Sequence, residues 1–138
     1  NKVMKSYYSG VGPLLFNSDI LKITDTVYIT EGPIDALILI QNGLPAISTN
    51  CSGNIFPEWY HKFVNQKLIF IVFDNDNAGK TESKRVAEVL GVTRCKIYNF
   101  WDFDKKGYDP VDYFNEGNTI DQFIDLVENN SLYSYQYN

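Results

Sequence analysis

The chain has 138 residues, of which 44% are hydrophobic and 15% aromatic, so it can form the core of one domain and is not largely disordered. The formal charge of −5 argues against strong nucleic-acid binding by these residues alone, because phosphate contacts require clustered Lys and Arg. Cys51 and Cys95 lie far apart and His61 has no second histidine beside it, so the sequence does not favour a zinc site.

Nothing in the sequence marks the chain for a membrane. No apolar run approaches the roughly 20 residues that a membrane helix needs, and the N-terminus lacks the pattern of a signal peptide. We therefore expect a cytoplasmic protein without membrane association. In that compartment two reduced core cysteines are favoured over an isolated disulfide.

From Val27 onward, short β-branched runs alternate with helical patterns, which is typical of βαβ units and a parallel sheet. The run at 67–73 is apolar at nearly every position, as expected for a central strand that is covered on both faces. Strands are predicted at 26–30, 45–48, 67–73 and 95–100. Helices are predicted at 34–40, from near 57, and at 78–90, 110–114 and 120–127.

These elements predict one α/β domain over residues 26–130, with a central, mostly parallel sheet of about four strands flanked by helices. Residues 1–25 show no clear unit and are interpreted as the trailing part of a preceding domain or an irregular extension. The tyrosine-rich residues 131–138 are predicted to be a frayed tail. Because the sequence starts without a methionine, we interpret it as a piece of a larger protein.

Carboxylates follow the predicted strands, at the edge where ligands bind in a doubly wound sheet. Glu31 follows the first strand, and Asp35 lies four residues later, near the first turn of the helix. Asp74 and Asp76 follow the third strand, and Asp109 lies in the loop beyond the fourth. Hard oxygen ligands of this kind suit Mg²⁺ or Mn²⁺.

The segment Asp74-Asn75-Asp76 is the centre of this pattern, because two carboxylates two residues apart on an extended turn can face a common point. Taken alone, it is also an ordinary turn sequence. An EF-hand fails because the twelfth position is Arg85, and a phosphate-binding Walker loop fails because Gly79-Lys80-Thr81 lacks the earlier glycine. The acidic residues after the neighbouring strands favour the cation site.

Together these motifs resemble the TOPRIM family, which is shared by bacterial primases, topoisomerases, OLD-type nucleases and recombination proteins. The resemblance covers about residues 26–116. The family's first motif, a strand followed by glutamate and glycine, corresponds to Val27–Ala36. Its second, an apolar strand followed by DxD, corresponds to Ile69–Lys80. The resemblance implies a Rossmann-like TOPRIM fold.

The primase branch of the family is favoured by EGxxDA in the first motif, DxDxAG in the second and a GKDP-like third segment. That third segment corresponds to Gly107–Tyr113. Asn75 stands where primases often have glycine, and Tyr108 stands where lysine is common. These departures favour a phage or mobile-element primase-helicase.

The resemblance implies roles for the acidic residues. Asp74, Asp76 and Asp109 would hold one or two ions of Mg²⁺ or Mn²⁺, with Asp35 contributing directly or through water. Glu31 would be either a metal ligand or a general base, which makes Glu31, Asp74 and Asp76 the catalytic candidates. We expect Glu31, Asp74, Asp76 and Asp109 to lie within reach of one water-bridged cation.

Basic residues on the helix after the DxD are candidates for phosphate contact. They are Lys80, Lys84 and Arg85. A solvated helix face is the alternative interpretation.

The resemblance implies a primase-type nucleotidyltransferase domain that makes RNA primers for DNA replication. Its partners would be a DNA template and nucleotides, bound through the full-length protein, and a replicative helicase. The alternatives are a TOPRIM nuclease of the OLD type, which would use the same ions to activate water, and a degenerate module that only binds partners or DNA. From the charge, we expect weak DNA binding and no primer synthesis by these residues alone.

Overall fold

A five-stranded sheet organises the part of the chain that the computed structural model describes, residues 16–49 and 57–137. The strands are Thr26–Thr30 (β1), Ala46–Ser48 (β2), Leu68–Val72 (β3), Cys95–Tyr98 (β4) and Leu132–Tyr133 (β5). They lie in the order β2-β1-β3-β4-β5. β1 is parallel to β2 and β3, β3 is parallel to β4, and β5 is antiparallel to β4. The predicted α/β class with a mostly parallel sheet is confirmed.

Helices flank this sheet. The α-helices are Pro33–Gln41 (α1), Asn77–Leu90 (α2), Pro110–Asn115 (α3) and Ile120–Asn130 (α4). Shorter 3₁₀ helices span Ser18–Lys22, Pro57–Phe63 and Ser134–Gln136. The helix predicted from near residue 57 is therefore a 3₁₀ helix. Within residues 16–49 and 57–137, no helix is long and apolar enough to cross a membrane.

The central strand β3 supplies buried side chains to both faces of the sheet. Successive side chains of a strand point to opposite faces. Ile69 and Ile71 therefore join the core cluster that contains α2 residues, whereas Phe70 and Val72 join the cluster that contains residues of α1 and α4. This two-sided burial explains the continuous apolar run in the sequence.

The residues before β1 pack against the domain where the structure describes them. Phe16 forms an antiparallel bridge with Ser48 of the edge strand β2. Leu21 is buried in the core, and the Gln66 side-chain amide donates to the carbonyl oxygens of Leu21 and Thr24 at 2.7 Å each. Residues 16–25 are thus in contact with the predicted domain, while residues 1–15 of the predicted extension, like Cys51, lie outside the described residues.

The C-terminal residues differ from the predicted frayed tail. Leu132 and Tyr133 form the fifth strand, and the Tyr137 hydroxyl donates to Asn99 Oδ1 at 2.7 Å. A two-residue strand is too short to show an alternation of side chains in sequence. Its formation depends on pairing with β4, which only the tertiary structure reveals.

We predict that Asn99→Ala lowers the free energy of unfolding by about 2–4 kcal/mol, because three buried or half-buried polar partners would each lose a hydrogen bond. Asn99 Nδ2 donates to Phe73 O at 3.2 Å and to Ser83 Oγ at 3.0 Å, and its Oδ1 accepts from Tyr137. Urea unfolding would measure the loss. The exposed Asn129, substituted by alanine, is the control and should change stability by less than about 0.5 kcal/mol. Equal stability of the two variants would contradict the prediction.

Candidate metal centre

A hydrogen bond between two predicted site residues joins the carboxyl ends of β1 and β3. Glu31 directly follows β1, and its Oε1 accepts a hydrogen bond from the Asp74 backbone amide at 2.8 Å. β1 and β3 are parallel neighbours, so their carboxyl ends lie at the same edge of the sheet. Glu31 therefore fixes the backbone where the DxD turn begins.

Three aspartates from different elements form an acidic triad at this edge, namely Asp35 in the first turn of α1, Asp74 after β3 and Asp109 at the N-cap of α3. One carboxylate oxygen of each lies within 4.8 Å of the other two. Oxygens bound to one Mg²⁺ at about 2.1 Å lie about 3–4 Å apart, so this upper limit on the separations is close to the size of a coordination shell.

The Asp74 carboxylate has a buried oxygen, Oδ1, with no hydrogen-bond partner among the described residues. Buried polar atoms are nearly always satisfied, so such an oxygen requires a partner. A cation would supply one, and the three carboxylates of the triad are the hard oxygen donors that Mg²⁺ or Mn²⁺ prefers. The residues at this edge therefore fit a divalent cation.

Burial and mutual repulsion raise the pKa values of this group of carboxyls. Desolvation, followed by the negative charges of Glu31 and of the neighbouring aspartates, raises the pKa of Asp74 to about 8. Desolvation and then the charge of Asp109 raise the pKa of Asp35 to about 7, against a hydrogen bond from the Val111 amide. Burial also raises the pKa values of Asp109 and Glu31. Without a cation, full ionisation near neutral pH is therefore unfavourable.

Asp76, the second carboxylate of the DxD, has a different contact from Asp74. Its Oδ1 accepts a hydrogen bond from the Gly79 amide at 2.7 Å and caps the N-terminus of α2. The group of mutually close oxygens does not include Asp76 or Glu31. Their roles as metal ligands therefore stay predictions.

Asp109 combines a cap with membership of the triad. Its Oδ1 accepts from the Asp112 amide at 2.9 Å, and Asp112 Oδ2 accepts in return from the Asp109 amide at 3.2 Å. This capping box orients the Asp109 side chain at the start of α3.

Gly79 allows α2 to begin close to the DxD turn. This role is not among those predicted from the sequence. A Cβ atom at this position would lie 2.3 Å from the Asp74 carbonyl oxygen and 3.1 Å from Glu31 Oε1. Real side chains do not tolerate the first distance. The signal in the sequence was a glycine three residues after the second aspartate of the DxD.

The two departures from the primase motifs lie against each other. The Asn75 amide donates to the Tyr108 carbonyl oxygen at 3.0 Å, and the Gly107 amide donates to the Asn75 carbonyl oxygen at 2.7 Å. The Asn75 side chain adds a hydrogen bond to the Phe103 carbonyl oxygen at 3.0 Å. Tyr108 is buried and stacks on Phe103, with ring centroids 4.3 Å apart. The DxD turn is thereby attached to the loop that delivers Asp109.

The predicted phosphate-contact residues on α2 have three different surroundings. Arg85 pairs with Glu82 at 3.0 Å, and the Lys84 ammonium lies 4.4 Å from the centroid of the Tyr137 ring. Lys80 lines a pocket beside Trp101. The structure therefore does not bring the three cations to one point.

Comparisons with known proteins agree with the fold. The family model described as Toprim-like matches residues 28–114. No curated protein sequence matches the chain. Among solved structures, the chain is similar to a DNA primase domain from Pseudomonas aeruginosa, with a TM-score of 0.70 and 21% identity over 88% of this chain and 38% of that one.

Two further solved structures are similar. One is the primase fragment of the bacteriophage T7 primase-helicase protein, with a TM-score of 0.66 and 20% identity over 80% of this chain and 47% of that one. The other is the Aquifex aeolicus primase with its zinc-binding and RNA polymerase domains, with a TM-score of 0.63 and 20% identity over 85% of this chain and 29% of that one. At these identities the likeness establishes the fold, and the chain spans less than half the length of each.

We predict that the stability of the metal-free protein falls as pH rises from about 5 to about 8. Asp35 and Asp74 have raised pKa values when folded, to about 7 and about 8. In the unfolded chain the pKa of an aspartate is about 4. The two carboxyls therefore contribute fully to the free energy of unfolding below about pH 4, and this contribution is lost as pH rises through their pKa values in the folded protein. Thermal melts in EDTA across this range would measure the slope.

Substitution of Asp74 by asparagine should reduce that slope, raise metal-free stability at pH 8 by about 2 kcal/mol and abolish stabilisation by Mg²⁺. The change Asp76→Asn should preserve the helix cap, because asparagine caps as well as aspartate. The exposed Asp104, changed to asparagine, is the matched control. If Asp74→Asn destabilises the metal-free protein and leaves the Mg²⁺ response intact, Asp74 has a structural role.

A second prediction concerns Gly79→Ala. Alanine in a helix normally stabilises by up to about 1 kcal/mol relative to glycine. Here the Cβ atom would collide with the Asp74 carbonyl oxygen, so we expect a loss of about 1–3 kcal/mol and weaker Mg²⁺ binding. Calorimetry of unfolding and of Mg²⁺ binding would test both effects. The exposed Thr81 on the same helix, changed to alanine, should leave both nearly unchanged, and a stabilised Gly79→Ala would contradict the close approach.

Proposed function

The chain belongs to the Toprim-like family, and from this premise we propose that it is the metal-dependent catalytic domain of a primase-type nucleotidyltransferase. The observation that supports this most is the acidic triad, Asp35, Asp74 and Asp109, at the carboxyl edge of a sheet that is similar to those of DNA primases. Full ionisation of its carboxylates near neutral pH is unfavourable without a cation among them, because burial and mutual repulsion raise their pKa values. We propose Mg²⁺ or Mn²⁺ as that cation.

In the proposed reaction, the triad would hold the cation, and its Asp74 offers an oxygen, Oδ1, that has no hydrogen-bond partner among the described residues. When bound, the cation would orient the triphosphate, help to ionise the attacking 3′-hydroxyl and stabilise charge on the transferred phosphate. Asp76 would keep the start of α2 in place and could add a ligand through its second oxygen.

Glu31 has two roles in this proposal. Its Oε1 holds the Asp74 amide, which positions the main ligand. The second oxygen of Glu31 would act either as a ligand or as the base for the nucleophile's proton. The raised pKa of Glu31 supports the role of base, because it favours proton uptake by the carboxylate.

Partners and location are part of the same proposal. The chain would act on a DNA template and nucleotides within a longer protein, since a net charge of −5 makes the overall affinity of these residues for nucleic acid weak. Similarity to the primase fragment of a phage primase-helicase supports a replicative helicase as a partner and a phage or mobile-element source. We propose a cytoplasmic location, with the buried Cys95 as a reduced thiol.

The test is templated RNA synthesis by the full-length protein on single-stranded DNA with ribonucleotides and Mg²⁺. We expect short RNA products, a loss of at least about 100-fold in Asp74→Asn, and little change in the control Asp104→Asn. Cleavage of DNA without synthesis would identify a nuclease instead. If the full-length protein shows neither activity, it is a binding module and the proposal is wrong.

A further inference from the structure

A pocket between α2, the segment after β4 and the C-terminal residues combines aromatic and basic side chains. It has a volume of about 370 Å³ and is lined by Lys80, Trp101, Leu132 and Tyr137. This volume falls within the range of pockets that bind small organic groups. The proposed metal chemistry uses none of these four residues.

The topology places this pocket at the same edge of the sheet as the triad. Trp101 lies shortly after the carboxyl end of β4, which is parallel to β3, and Asp74 follows the end of β3. Lys80 lies in the first turn of α2, which begins directly after the DxD. Leu132 pairs with Ile97, whose side chain belongs to the α2 face of the sheet.

The aromatic wall of the pocket is held in place by surrounding contacts. Trp101 packs edge-on against Tyr137 and Tyr98, with ring centroids 5.4 and 5.1 Å apart. The Tyr137 hydroxyl is fixed by the buried Asn99. Phe100, immediately before Trp101, has a positive φ of 50°, which is an unfavourable conformation for a residue with a side chain. The backbone is therefore in an unfavourable conformation directly before the tryptophan.

Two lysines lie at or near the pocket, although the chain as a whole is negative. The Lys84 ammonium lies 4.4 Å from the centroid of the Tyr137 ring, which lines the pocket. Lys80 makes no ion pair with any residue in the described part of the chain. The nearby Asp102 accepts a hydrogen bond from the Tyr98 hydroxyl.

We propose that this pocket binds one nucleotide of a single-stranded nucleic acid, with the base against Trp101 and Leu132 and a phosphate on Lys80. Aromatic surfaces next to basic side chains bind single strands through base stacking and phosphate contact. A duplex would not fit this way, because its bases are stacked on each other. Since the pocket and the triad share an edge, the strand can continue from the pocket toward the triad.

The inference rests on the proposed function for the kind of ligand, but its test does not require metal. A fluorescent ten-nucleotide oligothymidylate would be titrated with the protein in EDTA at low salt, and anisotropy would be measured. We expect Lys80→Glu to weaken binding at least about tenfold, and the exposed Lys62, changed to glutamate, to weaken it less than about twofold. Equal effects of the two substitutions, or no binding by the wild type, would overturn the proposal.

A second measurement does not depend on a variant. The described tryptophans are Trp59, which is buried on the α2 face of the sheet, and Trp101 in the pocket. In NMR spectra, the oligonucleotide should shift the Trp101 indole N–H signal and leave that of Trp59 in place. An unchanged Trp101 signal would overturn the proposal. If a nucleoside triphosphate alone shifts the Trp101 signal with the same affinity as the oligonucleotide, the assignment of the pocket to a nucleic-acid strand is wrong.

Failure of this inference can be separated from failure of the proposed function. Asp74→Asn should abolish primer synthesis while binding the oligonucleotide at least as tightly, because it removes a negative charge. Primer synthesis with no effect of Lys80→Glu on strand binding would reject only the pocket. Strand binding that depends on Lys80, in a full-length protein without synthesis, would reject only the proposed enzyme.

Discussion

The hydrogen bond from the Asp74 amide to the Glu31 carboxylate connects the ends of the two central strands, and the geometry of the site depends on it. It brings the DxD turn to the end of β1 at a distance of 2.8 Å. α2 can then start beside this turn only because Gly79 has no side chain. The carboxylates are therefore held together by backbone constraints and not by attraction between them, since like charges repel.

This constraint explains why the site is electrostatically unfavourable without a cation. Carboxyls that are buried and close together have raised pKa values, as Asp35 and Asp74 do. The folded sheet and the helix caps must offset the cost of bringing them together. A divalent cation would make the same arrangement favourable, because it would neutralise the repulsion between the carboxylates. The carboxylates would then form a site that is organised before its ligand binds.

Around this centre, the two residues that depart from the primase motifs both support the loop before Asp109. Asn75 holds the loop before Asp109 through its backbone and its side chain, and Tyr108 stacks on Phe103 in that loop. Aromatic packing therefore supports the loop where a lysine is common in primases. The same loop contains Trp101, so one segment of chain contributes a residue to the acidic triad and another to the pocket.

The sequence by itself determined the fold class, most of the strand and helix positions and the edge where the acidic residues gather. These properties follow from local periodicity and from the rule that parallel strands end at one edge. Only the tertiary structure decided that Asp35, Asp74 and Asp109 approach one another while Asp76 caps α2. It also decided that the tyrosine-rich end pairs with β4. The physical reason is that distances between separate elements depend on close packing, such as that at Gly79, which sequence spacing does not encode.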